Sequence, residues 1–182
     1  MLHTLHRVFH RMARHSAKAL LLILGLSAVS AATPAQAQQI DGRDQSYLAL
    51  SVGGFDVLHG NNAAVFRGEF RSGQRLWIFK PIVGAEVTSD GAAYGYGGVG
   101  VDIYFGDHVV LTPSFAAGAF ERGNGKKLGS WVEFKSAAEV AYRFDNSTRL
   151  GVEFDHISNA GLTKYNPGVE SLLLVYAIPL GF

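Results

Sequence analysis

Ser171-Leu172-Leu173-Leu174-Val175-Tyr176-Ala177-Ile178-Pro179-Leu180-Gly181-Phe182 decides the fold. Leu172, Leu174, Tyr176, Ile178, Leu180 and Phe182 are all large and apolar, while most of the residues between them are smaller. Successive side chains of a strand point to opposite sides, so this period of two describes an extended strand with one apolar face. The pattern recurs upstream. Leu150, Val152 and Phe154 oppose Arg149, Gly151, Glu153 and Asp155, and Val132, Phe134, Val140, Tyr142 and Phe144 oppose Glu133, Lys135, Glu139 and Arg143.

Working back from that segment, eight strands are legible, near 46–57, 62–72, 76–88, 92–105, 109–121, 130–144, 148–159 and 170–182. Turn-forming clusters such as Ser72-Gly73-Gln74, Ser89-Asp90-Gly91 and Asp145-Asn146-Ser147 separate them. No helical periodicity interrupts the series, so the class is all-β. A membrane-crossing strand takes about 9 to 11 residues, so eight strands use roughly 80 to 90 residues and leave short turns and modest loops.

Alternation alone does not say which face looks inward, and a soluble periplasmic ligand-binding barrel alternates too. Two features favour an eight-stranded antiparallel transmembrane β-barrel. Glycine and alanine share the second face with Glu69, Glu133, Lys135, Glu139, Arg143 and Glu153, which suits a narrow polar lumen laced by salt bridges. Aromatic residues near strand ends (Tyr94, Tyr96, Tyr104, Phe105, Phe144, Tyr176 and Phe182) are expected to form an interfacial girdle. The terminal Phe182 on an alternating strand resembles the assembly signal of bacterial outer-membrane barrels.

Residues 1–37 read as a cleavable signal peptide, leaving 38–182 as the barrel domain. Arg7, Arg11, Arg14 and Lys18 precede the apolar run Ala19–Val29, and Ala35-Gln36-Ala37 offers small residues for cleavage. That run is well short of the roughly 20 residues of a spanning helix. The leader carries four of the sixteen basic residues and none of the fifteen acids, leaving twelve against fifteen, a net of −3. A mildly acidic remainder lacks the basic footprint of a nucleic-acid binder. With no cysteine in the chain, disulfides, thiol nucleophiles and Cys-ligated zinc are excluded. His59 and His108 stand isolated in the sequence, read as surface or turn residues, and suggest no metal site. Tyr94-Gly95-Tyr96-Gly97-Gly98-Val99-Gly100 lacks the helix a phosphate loop needs and reads as packing in a narrow barrel.

An exported barrel with an even strand count places both termini on the periplasmic side, so the seventh strand ends at the cell exterior. It ends in Asp155-His156-Ile157-Ser158-Asn159, and the eighth begins near Glu170. His156 and Ser158 share the parity of Leu150, Val152 and Phe154, and Glu170 that of Leu172, so all three are expected at the outer rim facing lipid. Serine offers an oxygen nucleophile, histidine accepts its proton, and a carboxylate fixes the imidazole tautomer. The bland alternative is an inert polar rim.

Phe154-Asp155-His156-Ile157-Ser158-Asn159-Ala160-Gly161, with Asn166-Pro167-Gly168 and Glu170, resembles the PagL family of outer-membrane lipid A 3-O-deacylases. The resemblance implies His156 as general base, Ser158 as nucleophile and Glu170 as its orienting carboxylate. It also implicates Asn166 in the oxyanion hole, with a backbone amide near Asn159 or Ala160. The implied reaction is hydrolysis of the ester that holds the acyl chain at the 3-position of lipid A, through an acyl-enzyme, without metal or cofactor. The implied substrate is lipopolysaccharide in the outer leaflet of the bacterial outer membrane. Lys164, Arg122, Lys126 and Lys127 are candidate headgroup contacts in the expected outer loops. The alternative function is a non-enzymatic barrel, adhesin or structural, and a homodimer is compatible with the sequence.

Overall fold

The structure, a computed structural model, describes residues 44–60 and 62–181. Residues 1–37, where a signal peptide is expected, and Phe182 lie outside the described residues. Nine strand segments follow in order: β1 (Tyr47–Phe55), β2 (Ala63–Arg71), β3 (Lys80–Thr88), β4 (Ala93–Gly100), β5 (Ile103–Phe105), β6 (Val109–Glu121), β7 (Val132–Arg143), β8 (Arg149–Ser158) and β9 (Val169–Pro179). All pairings are antiparallel, and β1 pairs with β9 from Tyr47↔Pro179 to Phe55↔Ser171, which closes the sheet. Both β4 and β5 pair with β6, so they form one barrel stave and the barrel has eight. The break at 101–102 turns Asp102 towards Lys80 and Arg149, whose side-chain nitrogens lie 2.9 and 3.0 Å from its Oδ2.

Parity sets the two faces as expected. Leu150, Val152, Phe154, Leu172, Leu174 and Tyr176 are exposed on the outer wall, an apolar belt that suits lipid rather than water. Inside, charge replaces hydrocarbon. Arg67 binds Glu86 at 2.7 Å and also pairs with Glu153 and Asp155. Arg71 joins Glu69 and Glu139, each at 2.7 Å, while Lys135 reaches Glu69 at 3.3 Å and lies over the Tyr96 ring. Each of these ions is taken out of water, and only mutual pairing offsets that cost.

Tyr94 and Tyr96 depart from the girdle expectation. Both are buried in the lumen, where their rings stack at 5.2 Å. The Tyr96 hydroxyl donates to Glu69 at 2.7 Å and that of Tyr94 to the Glu133 carbonyl at 3.0 Å. Alternating Tyr-Gly leaves the outer side of β4 nearly bare, and the phenols find inside the acceptors that lipid lacks. Tyr104 also bonds inward, accepting from Arg149. Phe105 and Phe144 of the expected girdle are exposed at the barrel ends, and Trp77, Trp131 and Tyr165 join them. Glycine lets the wall close tightly here: a β-carbon at Gly118 would stand 2.1 Å from the Gly95 carbonyl oxygen.

Candidate active site

At one rim, β8 and β9 are joined by the loop 159–168. Their register sets His156 directly opposite Glu170 and Phe154 opposite Leu172. Directly opposite residues of an antiparallel pair bring their side chains together. Here His156 Nδ1 lies 2.9 Å from Glu170 Oε1. Accepting at that oxygen leaves Nδ1 as the protonated nitrogen and turns the lone pair of Nε2 outward. His156 is 44% exposed and Glu170 14%, so the carboxylate is shielded while the ring stays accessible.

Ser158 is two residues beyond His156 on the same face, opposite Phe134 of β7, a spacing of about 7 Å along the strand. No hydrogen bond joins its hydroxyl to the imidazole. Such bonds are often long in unliganded enzymes and tighten around substrate. Below the pair, the outward faces of Phe134, Phe154 and Leu172 carry the site into the apolar wall, and Phe134 stacks on Phe115 at 6.1 Å.

Gly168 makes room for the ring. Its φ is +64°, and a β-carbon there would stand 2.6 Å from His156 Cε1 and 3.3 Å from Nε2. Gly168→Val is expected to lower ester turnover by roughly tenfold or more, since it combines a disfavoured backbone conformation with displacement of the imidazole, a cost of about 1–3 kcal/mol. The check is turnover alongside heat-modifiable gel migration, which should persist because the rest of β9 pairs as before.

The loop is built around Asn159, which is fully buried. Its Nδ2 donates to the carbonyls of Leu128 and Tyr165 at 2.9 and 3.0 Å and to Thr163 Oγ1 at 3.1 Å, while Oδ1 accepts from Gly161 N–H at 3.0 Å. Its own backbone N–H is also engaged, donating to Asn166 Oδ1 at 2.9 Å. That bond ties the Asn166 side chain to the loop backbone through its amide oxygen. Ala160 follows with φ +51° and an exposed side chain. Asn159 thus frames the loop, its side chain and its backbone N–H both hydrogen-bonded within it.

The candidate headgroup residues divide. Arg122, Lys127 and Lys164 are exposed in the loops at this rim, whereas Lys126 is committed to Asp56 at 2.7 Å. His59 corrects the sequence reading most. Far from isolated, its Nδ1 lies 3.1 Å from Asp56 Oδ1 and 3.2 Å from Glu170 Oε2. These three residues present ligand-type atoms within 4.8 Å of one another. The Lys126 ammonium on Asp56 already supplies the compensating positive charge there. Local sequence held no signal for this meeting, because it depends on the β1–β9 closure. His108 is a turn residue at the other end, bonded to the Arg143 carbonyl at 2.9 Å and stacked on Tyr142.

A family model described as Lipid A 3-O-deacylase (PagL) matches residues 105–179, the segment that carries the rim cluster. Over this region the chain is similar to the PagL family. A lipid A deacylase PagL of Pseudomonas aeruginosa is 29% identical over 114 residues, covering 62% of this chain and 58% of that protein. A PagL deacylase of Bordetella bronchiseptica is 33% identical over 51 residues, 28% of this chain and 29% of the relative. The chain's matches therefore span less than two thirds of the curated relatives' lengths. The crystal structure of the outer membrane enzyme PagL superposes with a TM-score of 0.60 at 20% identity, covering 74% of this chain and 99% of that one. That likeness shows a shared barrel fold.

Proposed function

We propose that this barrel is a member of the PagL family, an outer-membrane lipid A 3-O-deacylase working as a serine esterase in the outer leaflet. The observation that carries the reading is the 2.9 Å contact of His156 Nδ1 with Glu170 Oε1, beside Ser158 on the lipid-facing wall. Substrate acyl chains lie along the apolar belt, and the phosphorylated sugars stay at the rim near Arg122, Lys127 and Lys164.

In the reaction, Ser158 Oγ attacks the ester carbonyl at the 3-position as His156 Nε2 takes its proton. Glu170 stabilises the imidazolium through Nδ1–H. The carbonyl oxygen becomes an oxyanion and meets Asn166 Nδ2 and the Ala160 N–H, preorganised donors that gain most where charge develops. Collapse of the intermediate breaks the ester bond, and His156 returns the proton to the sugar hydroxyl. Water, deprotonated by the same ring, then releases the fatty acid from Ser158. No step calls for a metal.

The test is expression of the full chain and its Ser158→Ala variant in a Gram-negative host, with lipid A read by mass spectrometry. Loss of one 3-hydroxyacyl group with the native chain and none with the variant is expected. Unchanged lipid A beside a folded, membrane-inserted native barrel would favour a non-enzymatic barrel instead. We take residues 1–37 as the exported leader, so the intact mass of the inserted protein should correspond to a chain starting at Gln38.

A further inference from the structure

Glu170 has two oxygens, and the His156 contact uses one. The other, Oε2, is buried and has no hydrogen-bond partner, and the His59 ring approaches it as an ion-pair contact. His59 Nδ1, 3.2 Å from Oε2, also lies 3.1 Å from Asp56 Oδ1. Asp56 is 1% exposed, adopts φ +60°, and binds Lys126 Nζ at 2.7 Å through that same Oδ1. The backbone adds a further tie, since Val57 N–H donates to the Glu170 carbonyl at 3.0 Å. Three segments distant in sequence, the β1–β2 turn, the β6–β7 loop and the start of β9, thus converge behind the carboxylate that orients His156.

We propose that His59 is a positioning residue of the site, holding Glu170 in the rotamer that faces His156 by placing an Nδ1 proton between Asp56 and Glu170 Oε2. The inference rests on the deacylase reading above. Two carboxylates this close repel unless a donor stands between them, and Lys126 offsets only the Asp56 side. A half-buried carboxylate held on one oxygen alone is free to rotate about its last torsion, which is broad and soft. With Oε2 held by His59, Oε1 stays on the His156 ring, and the tautomer that presents Nε2 to Ser158 is kept. The charged and titratable groups facing His59 are Asp56 on its own turn, Glu170 on β9 and Lys126 from the β6–β7 loop.

A bound cation between Asp56, His59 and Glu170 is the competing use of these atoms. His59 Nδ1 makes a hydrogen bond to Asp56 and an ion-pair contact to Glu170 Oε2, and Lys126 already neutralises Asp56, so a proton on Nδ1 is the better occupant.

The experiment compares His59→Ala and His59→Asn in the full-length barrel, refolded in detergent micelles and assayed on lipid A. Each variant is also made in a Glu170→Gln background. His59→Ala is expected to lower kcat about tenfold or more while KM changes little, the scale for losing a hydrogen bond to a charged group. His59→Asn is expected to recover most of the loss, because its amide N–H falls where Nδ1–H stood. With Glu170 already replaced, His59→Ala should cost nothing further, as expected for a residue acting through it. Nitrogen-15 spectra of the histidines should show His59 protonated at Nδ1. Native turnover in His59→Ala, no rescue by asparagine, an additive loss in the Glu170→Gln background, a neutral Nε2–H ring, or turnover abolished by EDTA and restored by calcium would each overturn the proposal. Ser158→Ala runs alongside: turnover surviving that substitution overturns the serine-esterase reading, and the His59 tautomer then still decides the clamp.

Discussion

Alanine at His156 is expected to reduce deacylation at least about 10⁴-fold, and the His156→Ala/Ser158→Ala double variant should be no slower than the slower single variant. The reason is that neither side chain acts alone. A serine hydroxyl without a base within reach is a poor nucleophile at neutral pH, and a base without the hydroxyl has nothing to activate. Donors aimed at the oxyanion continue to work after either loss, so a small residual rate common to all three variants is expected. The variants should migrate as folded barrels, because His156 points outward and the β7–β8 and β8–β9 pairings are carried by the backbone. Rates from single-turnover assays in mixed micelles check this; losses that multiply in the double variant would argue against a shared step.

The second large effect concerns stability. Arg67→Leu is expected to destabilise the barrel by about 3–5 kcal/mol, the cost of breaking a buried ion pair from one side. Glu86, Glu153 and Asp155 all converge on that guanidinium, and the substitution leaves three buried carboxylates without it. Arg67 is 4% exposed, so water does not readily take its place. Urea titration of refolding into detergent micelles measures the difference. A fully stable Arg67→Leu barrel would mean that water in the lumen hydrates those groups.

These effects come from opposite faces of the same wall, and the division between them was legible residue by residue. Along β8, Glu153 and Asp155 enter the ion network while Phe154 and His156 face outward, as the alternation from Arg149 to Ser158 predicts. The split fourth stave was not legible. Asp102 leaves the ladder because Lys80, Thr112 and Arg149 offer it more inside than the strand does. The inward turn of Tyr94 and Tyr96 was missed for a similar reason: a Tyr-Gly repeat fits either face until the lumen acceptors are in place.

By itself, the sequence determined the all-β class, the number of staves, the two faces of each strand and the His156-Ser158 spacing, because a period of two is a local property of the extended chain. It also marked Glu170 as the carboxylate across the last hairpin. Tertiary structure alone decided that His156 and Glu170 fall in direct register, that Gly168 clears the ring edge, and that Asn159 serves the loop frame. It also brought Asp56, His59 and Lys126 behind Glu170. Those contacts span more than a hundred residues in the case of His59 and Glu170 and exist only because β1 pairs with β9. Closing the barrel satisfies the last open edge of backbone donors and acceptors in a medium that offers no others, and the same closure completes the surroundings of the site.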